Sequence, residues 1–154
     1  MAREILVENL LSFMQPDLLQ NLHGEPLQNC STDGMAVTGF TRDGLCSHHM
    51  GDYGSHHICV RNIRSTNNEP SFCDTTGQPN WCDRNGECSD GRSCPRKKWC
   101  VCEWAFERFV KEKGCDAFDI DTKATNGLVL NHYDPVKNKE AYDCILKKIS
   151  HASP

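Results

Sequence analysis

The sequence predicts an α+β fold, a small two-layer sandwich with a short antiparallel sheet, an N-terminal helical extension and a cysteine-rich loop. Three observations predict it. Helical apolar periodicity is confined to separate segments at both ends and after residue 101, and short β-branched segments lie between them. Few strands with separate helices are typical of an α+β layer. The third is the presence of 11 cysteines in 154 residues, which indicates that sulfur chemistry stabilises part of the fold.

The N-terminal segment is predicted to be an extension over residues 1–22, ahead of a cysteine-rich α+β domain over 23–134 and a C-terminal helix over 135–154 that packs on the same domain. A helix is expected over 3–14, because its apolar residues recur on one side and Pro16 follows it. That side either packs on the chain's own core or docks to a partner. The predicted partner-docking residues are Ile5, Leu6, Leu10 and Met14, with Phe13 as an alternative to Met14.

The middle of the chain is predicted to contain two strands and two loops. Residues 35–40 and 57–63 are short, partly β-branched and bounded by glycine-rich turns, which is typical of strands. The loop between them, 42–56, is rich in metal-capable and acid–base side chains. Residues 64–98 are polar and turn-rich, so we expect cross-links or a metal to order them.

The last third is predicted to be mainly helical. From Cys102 onwards apolar residues recur with helical spacing up to Gly114, a good C-terminal stop, and this pattern directs the Cys102 side chain towards the core. Short strands are predicted over 118–120 and 128–130. A final helix is predicted to have Asp134 as its N-cap and a proline as its first residue.

Composition argues against two classes of function. With 17 Lys plus Arg against 21 Asp plus Glu, the net charge of -4 makes a nucleic-acid partner unexpected. The apolar stretches are shorter than the ~20 residues that span a bilayer, and the N-terminus lacks a signal-peptide pattern. We therefore expect an intracellular protein without a membrane span. That expectation conflicts with the cysteine count, because reducing compartments keep thiols reduced.

Four motifs occur in an order that is characteristic of one family. They are GEPLQNC at 24–30, TGFTRDGLC at 38–46, DYGSHHIC at 52–59 and WCVC at 99–102. Together they resemble the mostly bacterial family known as domain of unknown function 2237, over about residues 23–131. The resemblance implies a small two-layer α+β fold and transfers no activity.

The chain departs from the pattern of that family in two ways. Where the family usually has E-A-T-H, this sequence reads KATN and has Asn126 in place of the histidine. The end helices and several cysteines are additions to the pattern, which suggests adaptation to a more oxidising or more crowded setting. The added cysteines are Cys73, Cys82, Cys88, Cys94, Cys115 and Cys144.

The cysteines have three interpretations: disulfides, a structural metal site, or buried free thiols. The cofactor is unknown from the sequence, and zinc is the candidate metal because it prefers four sulfur or nitrogen ligands. The predicted zinc set is Cys46, His56, Cys59 and Cys100, with Cys30 as an alternative to His56. The candidates for disulfides or metal binding are Cys30, Cys46, Cys59, Cys82, Cys88, Cys94, Cys100 and Cys102.

Two functions fit these features. The favoured one is a non-enzymatic, cysteine-stabilised structural or assembly subunit that binds protein partners in a larger complex, for example a virus particle with an oxidised interior. The alternative is a thiol-redox or metal-dependent enzyme centred on Cys46, His56, Cys59, Cys100 and Cys102, for example with Cys46 or Cys59 activated by His56. Arg42 and Asp43 would then form an orienting ion pair, or else a simple turn. An open cleft that exposes one thiol of low pKa, or a metal with three protein ligands and a vacant position, would favour the enzyme.

Overall fold

A three-stranded antiparallel sheet lies at the centre of the molecule. The structure, a computed structural model, describes residues 19–152. Strand β1 (Ile58–Arg61) lies between β4 (Trp99–Val101) and β5 (Asp119–Ile120). A separate hairpin consists of β2 (Asn85–Glu87) and β3 (Ser93–Pro95). Small antiparallel sheets combined with helices confirm the predicted α+β class.

The helices form a layer against this sheet. They are α1 (Phe72–Thr75), α2 (Glu103–Lys113), α3 (Val129–His132) and α4 (Lys139–His151). Helices α2 and α4 pack on each other, and a 3₁₀ turn precedes β5. The apolar side of each helix meets the sheet in one core. The core includes Ile58, Val60, Phe72, Ala105, Phe106, Phe109, Val110 and Ile145.

Helix α2 confirms the strongest helical prediction. Its N-cap is Cys102, and Gly114 ends it with a φ of 85°, a left-handed conformation that suits glycine. Glu107 and Lys111 form an ion pair one turn apart, with a nitrogen-to-oxygen distance of 3.1 Å. The cap residue is extended, and Cys102 packs against the edge of the core, half-buried and not enclosed within it.

The polar segment over 64–98 is ordered largely by sulfur, as predicted. Cys73–Cys82 ties α1 to the following loop, and Cys88–Cys94 closes the β2–β3 hairpin. All four of these cysteines are buried. The Trp81 ring also lies 5.9 Å from the Trp99 ring, so the segment packs against β4.

Three element predictions were wrong in detail. Residues 35–40 form no strand, although the Ala36 N–H donates to the hairpin carbonyl of Pro95 at 2.9 Å. The predicted strand over 128–130 lies within helix α3 and its N-cap, because the Asn126 side chain accepts from the Leu128 N–H at 3.0 Å and turns the chain. The last helix begins at Lys139, since the Asp134 carboxylate instead stabilises a turn ahead of it.

The N-terminal extension meets the main body at residues 20–22. The Gly127 N–H donates to Gln20 at 2.8 Å, and Leu22 is buried in the core. The predicted docking residues lie outside the described residues. They are Ile5, Leu6, Leu10 and Met14. Within residues 19–152, none of the helices has the length and apolarity needed to cross a membrane.

Candidate active site

Ten of the eleven cysteines are joined in five disulfides, which leaves Cys102 as the free thiol. Two of these disulfides attach loops to the paired strands β1 and β4, in which Cys59 lies opposite Cys100. The pairs are Cys30–Cys59, Cys46–Cys100, Cys73–Cys82, Cys88–Cys94 and Cys115–Cys144.

The zinc set predicted from the sequence does not form. Cys46 and Cys100 are bonded to each other, and Cys59 belongs to a second disulfide. Zinc binds thiolates, and a sulfur in a disulfide is not one. His56, the fourth member, faces Cys102 instead. The sulfur atoms of these cysteines lie close together because the Cys30–Cys59 and Cys46–Cys100 disulfides are adjacent. The two disulfides attach loops to strands β1 and β4.

A Cys–His–Asp arrangement lies at the start of helix α2. The sulfur of Cys102 is 3.0 Å from Nε2 of His56. On the other side of the imidazole, Nδ1 is 2.6 Å from Oδ1 of Asp52, and the second carboxylate oxygen accepts the backbone N–H of His56 at 2.9 Å. Nucleophile, base and orienting carboxylate are therefore in hydrogen-bond contact in the order that nucleophilic catalysis requires.

The carboxylate of Asp52 is ionised and fixes the proton on the imidazole. Burial alone would raise the pKa of Asp52, but hydrogen bonds from the backbone and side chain of His56 outweigh it and hold that pKa below its usual value. A carboxylate only accepts, so Nδ1 of His56 carries the hydrogen. Nε2 is then free to accept the thiol proton of Cys102.

The thiol of Cys102 is held in its protonated form. Burial, with the nearby charge of Asp52, raises the pKa of Cys102 to about 11. Hydrogen bonds from the residue's own backbone and from the Trp104 side chain favour the thiolate, and they are outweighed. Cys102 is therefore not the thiol of low pKa that the enzymatic alternative requires of the free protein.

A tight turn places Asp52 and His56 together. Asp52 accepts the Ser55 N–H at 3.2 Å through its backbone carbonyl, and Ser55 has a φ of 51°. The Glu103 N–H, at the first position of α2, is 3.2 Å from the carbonyls of both Gly54 and Ser55. Gly54 is needed for space, because a Cβ there would lie 3.0 Å from the His56 ring and 3.1 Å from the Cys102 sulfur.

The thiol opens into a cleft of about 480 Å³. Arg42 and Arg96 each lie 5.2 Å from the centroid of the Trp99 ring, and within residues 19–152 neither forms an ion pair with a carboxylate. Burial and the neighbouring charges of Arg42 and Arg84 lower the pKa of Arg96. Its Nε is buried with no hydrogen-bond partner in the described part of the chain. This wall of the cleft is a cationic surface suited to an anion.

A second polar cluster lies beside the first. Nδ1 of His57 and Nδ1 of His132 are each 2.8 Å from the same oxygen, Oε1 of Glu103. These three ligand atoms lie within 4.8 Å of one another, so the group could bind a metal ion. His48 approaches Nε2 of His57 at 3.2 Å, and burial together with the neighbouring imidazoles lowers the pKa of His48.

Sequence reasoning identified His56 and the WCVC motif but paired them differently. His56 contacts Cys102, whereas Cys46 and Cys59 are consumed by disulfides. The role of Asp52 was missed. Its spacing of four residues from His56 within DYGSH, a glycine-containing turn, is the signal that could have suggested it.

Two other sequence positions have structural roles. The side chain of Asp43 accepts the Leu45 N–H at 3.1 Å, and Gly44 has a φ of 87°, which confirms the turn interpretation of this motif. Asn126, which replaces the usual family histidine, is buried and donates to the carbonyl of Cys46 at 3.1 Å. It thereby joins the disulfide-linked loop to the segment before α3.

The fold and site define a disulfide-linked α+β domain with one free cysteine in a Cys–His–Asp arrangement. The chain belongs to the family described as "uncharacterized protein conserved in bacteria" (DUF2237), whose sequence model matches residues 20–140. This match confirms the resemblance that the four motifs indicated. No curated protein matches the chain.

Proposed function

We propose that the chain is an enzyme that uses Cys102 as a nucleophile in acyl transfer or hydrolysis of small anionic substrates. The observation that carries this proposal is the hydrogen-bonded series Cys102, His56 and Asp52 at the edge of an open cleft. An unpaired thiol in a chain whose other cysteines are all bonded also needs an explanation, and a nucleophilic role supplies one.

The first step of the proposed reaction is attack of the Cys102 sulfur on a carbonyl carbon. As the carbon–sulfur bond forms, the thiol proton moves to Nε2 of His56, and the Asp52 carboxylate stabilises the resulting imidazolium. Collapse of the tetrahedral intermediate breaks the bond to the leaving group, which takes that proton from His56. The product is a thioester on Cys102. Water, deprotonated by His56, then hydrolyses the thioester and restores the thiol.

The start of helix α2 supports the negative charge that develops in this reaction. Cys102 is the N-cap of an eleven-residue helix, so the positive end of the helix dipole lies next to its sulfur. The first N–H groups of a helix have no acceptor within the helix. We propose that first-turn N–H groups such as those of Trp104 and Ala105 stabilise the oxyanion that forms at Cys102.

The cleft favours a substrate that carries a negative charge. Arg42 and Arg96 share the Trp99 ring and have no carboxylate partner in the described part of the chain. A guanidinium group binds a carboxylate or phosphate through paired hydrogen bonds. The ring of Phe40, stacked on His56 at 6.2 Å, adds an apolar surface beside the nucleophile.

The structural or assembly role favoured by the sequence remains a prediction. Five disulfides support a rigid domain, and the predicted docking helix lies outside the described residues. A rigid scaffold would leave the Cys–His–Asp arrangement without a use. The enzymatic alternative therefore has the more specific support, although through the contact of His56 with Cys102 and not with Cys46 or Cys59.

The test uses two chromogenic esters on the oxidised chain, 4-nitrophenyl acetate and the negatively charged mono-4-nitrophenyl succinate. We expect a burst of nitrophenolate, an acyl adduct on Cys102 detected by mass spectrometry, and faster reaction of the charged ester. Cys102→Ala should abolish the adduct. His56→Ala should slow its formation by about 10²–10⁴-fold, the range for loss of a general base.

His23→Ala is the matched control, because His23 contacts Thr122 away from the cleft. It should react like the wild type. Acylation that persists in Cys102→Ala, or that is equally fast in His56→Ala and His23→Ala, would contradict the proposal. Thermal unfolding of each variant separates loss of chemistry from loss of fold.

A further inference from the structure

Glu103 is a partly buried carboxylate between two imidazoles, and the proposed acyl transfer does not use it. Its side chain is 13% exposed and that of His57 is 0% exposed, whereas His132 is 34% exposed at the end of α3. Three elements therefore meet at this point: the start of β1, the start of α2 and the end of α3. A buried carboxylate with two converging imidazole nitrogens is the donor set of a transition-metal site.

We propose that Glu103, His57 and His132 bind a divalent transition-metal ion of the zinc class, with a further coordination position open to solvent. Zinc takes imidazole nitrogen and carboxylate oxygen at ~2.0–2.2 Å, so two of its ligand atoms lie at most ~4 Å apart. The Glu103 oxygen is 2.8 Å from each nitrogen, within that limit. Rotation of the partly exposed His132 ring adjusts the distance between the His57 and His132 nitrogens, which lie within 4.8 Å of each other.

The second nitrogen of His57 has the partner that a metal ligand needs. When Nδ1 of His57 binds a metal, its Nε2 must carry the hydrogen, and that hydrogen requires an acceptor. Nδ1 of His48 lies 3.2 Å from Nε2 and supplies it. A partner of this kind fixes the ring orientation and the tautomer of a ligating histidine. His48 is thus a positioning residue and not a ligand.

The rest of the surroundings holds Glu103 in place. Its backbone N–H donates to the carbonyls of Gly54 and Ser55, and its own carbonyl accepts the hydroxyl of Tyr133 at 2.5 Å. The backbone that carries the carboxylate is therefore fixed on both sides before any ion binds. Such preorganisation lowers the entropic cost of binding.

The experiment is titration of the oxidised, metal-free chain with Zn²⁺ by calorimetry and with Co²⁺ by visible absorption. Cys102→Ser serves as the background, so that the thiol cannot bind the ion. We expect one ion per chain, ligand-field absorption typical of four- or five-coordinate Co²⁺, and a rise in the unfolding temperature with Zn²⁺. His132→Ala and Glu103→Gln should each weaken binding at least about 100-fold.

The controls separate this site from adventitious binding. Glu107→Gln, one turn further along α2, and His23→Ala should leave the affinity unchanged. His48→Ala should weaken it about 10–100-fold, the usual effect of losing an outer partner of a ligand. The proposal is overturned by a dissociation constant weaker than about 1 mM, or by equal affinity in His132→Ala and His23→Ala.

Discussion

Residues 56–57 contact residues 102–103, and the two sides of this contact differ in their chemistry. His56 and His57 lie opposite Cys102 and Glu103, and each histidine takes a different partner. Successive side chains of an extended backbone point in opposite directions, so His56 faces the cleft while His57 faces the interior. The cleft side has a thiol, solvent and two arginines that bind backbone carbonyls but no carboxylate within residues 19–152; the inner side has a carboxylate and a set of imidazoles. Two neighbouring pairs of residues can thus support two independent sites.

The largest expected difference between the two sides comes from Asp52→Asn. An amide cannot hold the imidazole of His56 in the required tautomer or stabilise its charged form, so ester turnover should fall by about 10²–10⁴-fold. Zn²⁺ affinity should be unchanged, because Asp52 contacts His56 and not Glu103. Burst kinetics and calorimetry on the same preparation measure both. Parallel losses of turnover and Zn²⁺ affinity would show that the two sides are one unit.

The next largest effect concerns the disulfide that anchors both sides. Replacing Cys46 and Cys100 by alanine releases a loop with a sequence separation of 54, and chain entropy predicts a loss of about 4 kcal/mol in the free energy of unfolding. The same change at Cys88 and Cys94, separated by 6, should cost about 2 kcal/mol. Denaturant unfolding measures each loss.

Activity should distinguish these disulfides further. The first pair is attached to β4, whose end carries Cys102, so both ester turnover and Zn²⁺ binding should weaken in that variant. The hairpin pair lies away from Cys102 and Glu103, so its loss should leave Zn²⁺ binding and turnover of the uncharged acetate ester near their wild-type values, whereas the charged ester also depends on Arg96 beside the hairpin. Equal effects of the two variants on turnover would contradict this view of the scaffold.

A smaller and more selective effect is expected for Gly54→Ala. The new Cβ would stand 3.0 Å from the His56 ring and 3.1 Å from the Cys102 sulfur, and it would push them apart. We expect a fall in ester turnover smaller than the about 100-fold that a misplacement of about 1 Å costs, because the two groups need to move by only a few tenths of an ångström. Tyr53→Ala, at a side chain that is 98% exposed, is the matched control. Wild-type turnover in Gly54→Ala would show that the spacing is not needed.

Local signals predicted much of the fold. The apolar spacing after Cys102 and the stop at Gly114 predicted α2, because both depend on residues a turn apart. The dense cysteines of the polar segment predicted its cross-links. The connectivity of the disulfides was not predictable, since it depends on which strands become neighbours: the Cys30–Cys59 and Cys46–Cys100 bonds come together only once β1 and β4 have paired.

The candidate site was less predictable for the same reason. Cys102 and His56 are 46 positions apart, and their contact requires the turn after Asp52 to meet the start of α2. A periodicity argument assigned Cys102 to the core because it counted the cap residue as part of the helix. His132 was assigned next to a strand, so its convergence with His57 on Glu103 had no sequence signal.

The coexistence of ten oxidised sulfurs with one reduced sulfur constrains how the protein matures. Because eleven is an odd number, one cysteine always stays outside the intramolecular disulfides. A wrong disulfide to Cys102 would leave a cysteine of the five native disulfides without its partner. The order of oxidation therefore matters during biogenesis, and the burial and nearby Asp52 charge that raise the pKa of Cys102 slow its entry into exchange with other sulfurs. Purification faces the same conflict, because a strong reductant that protects the nucleophile would dismantle its support.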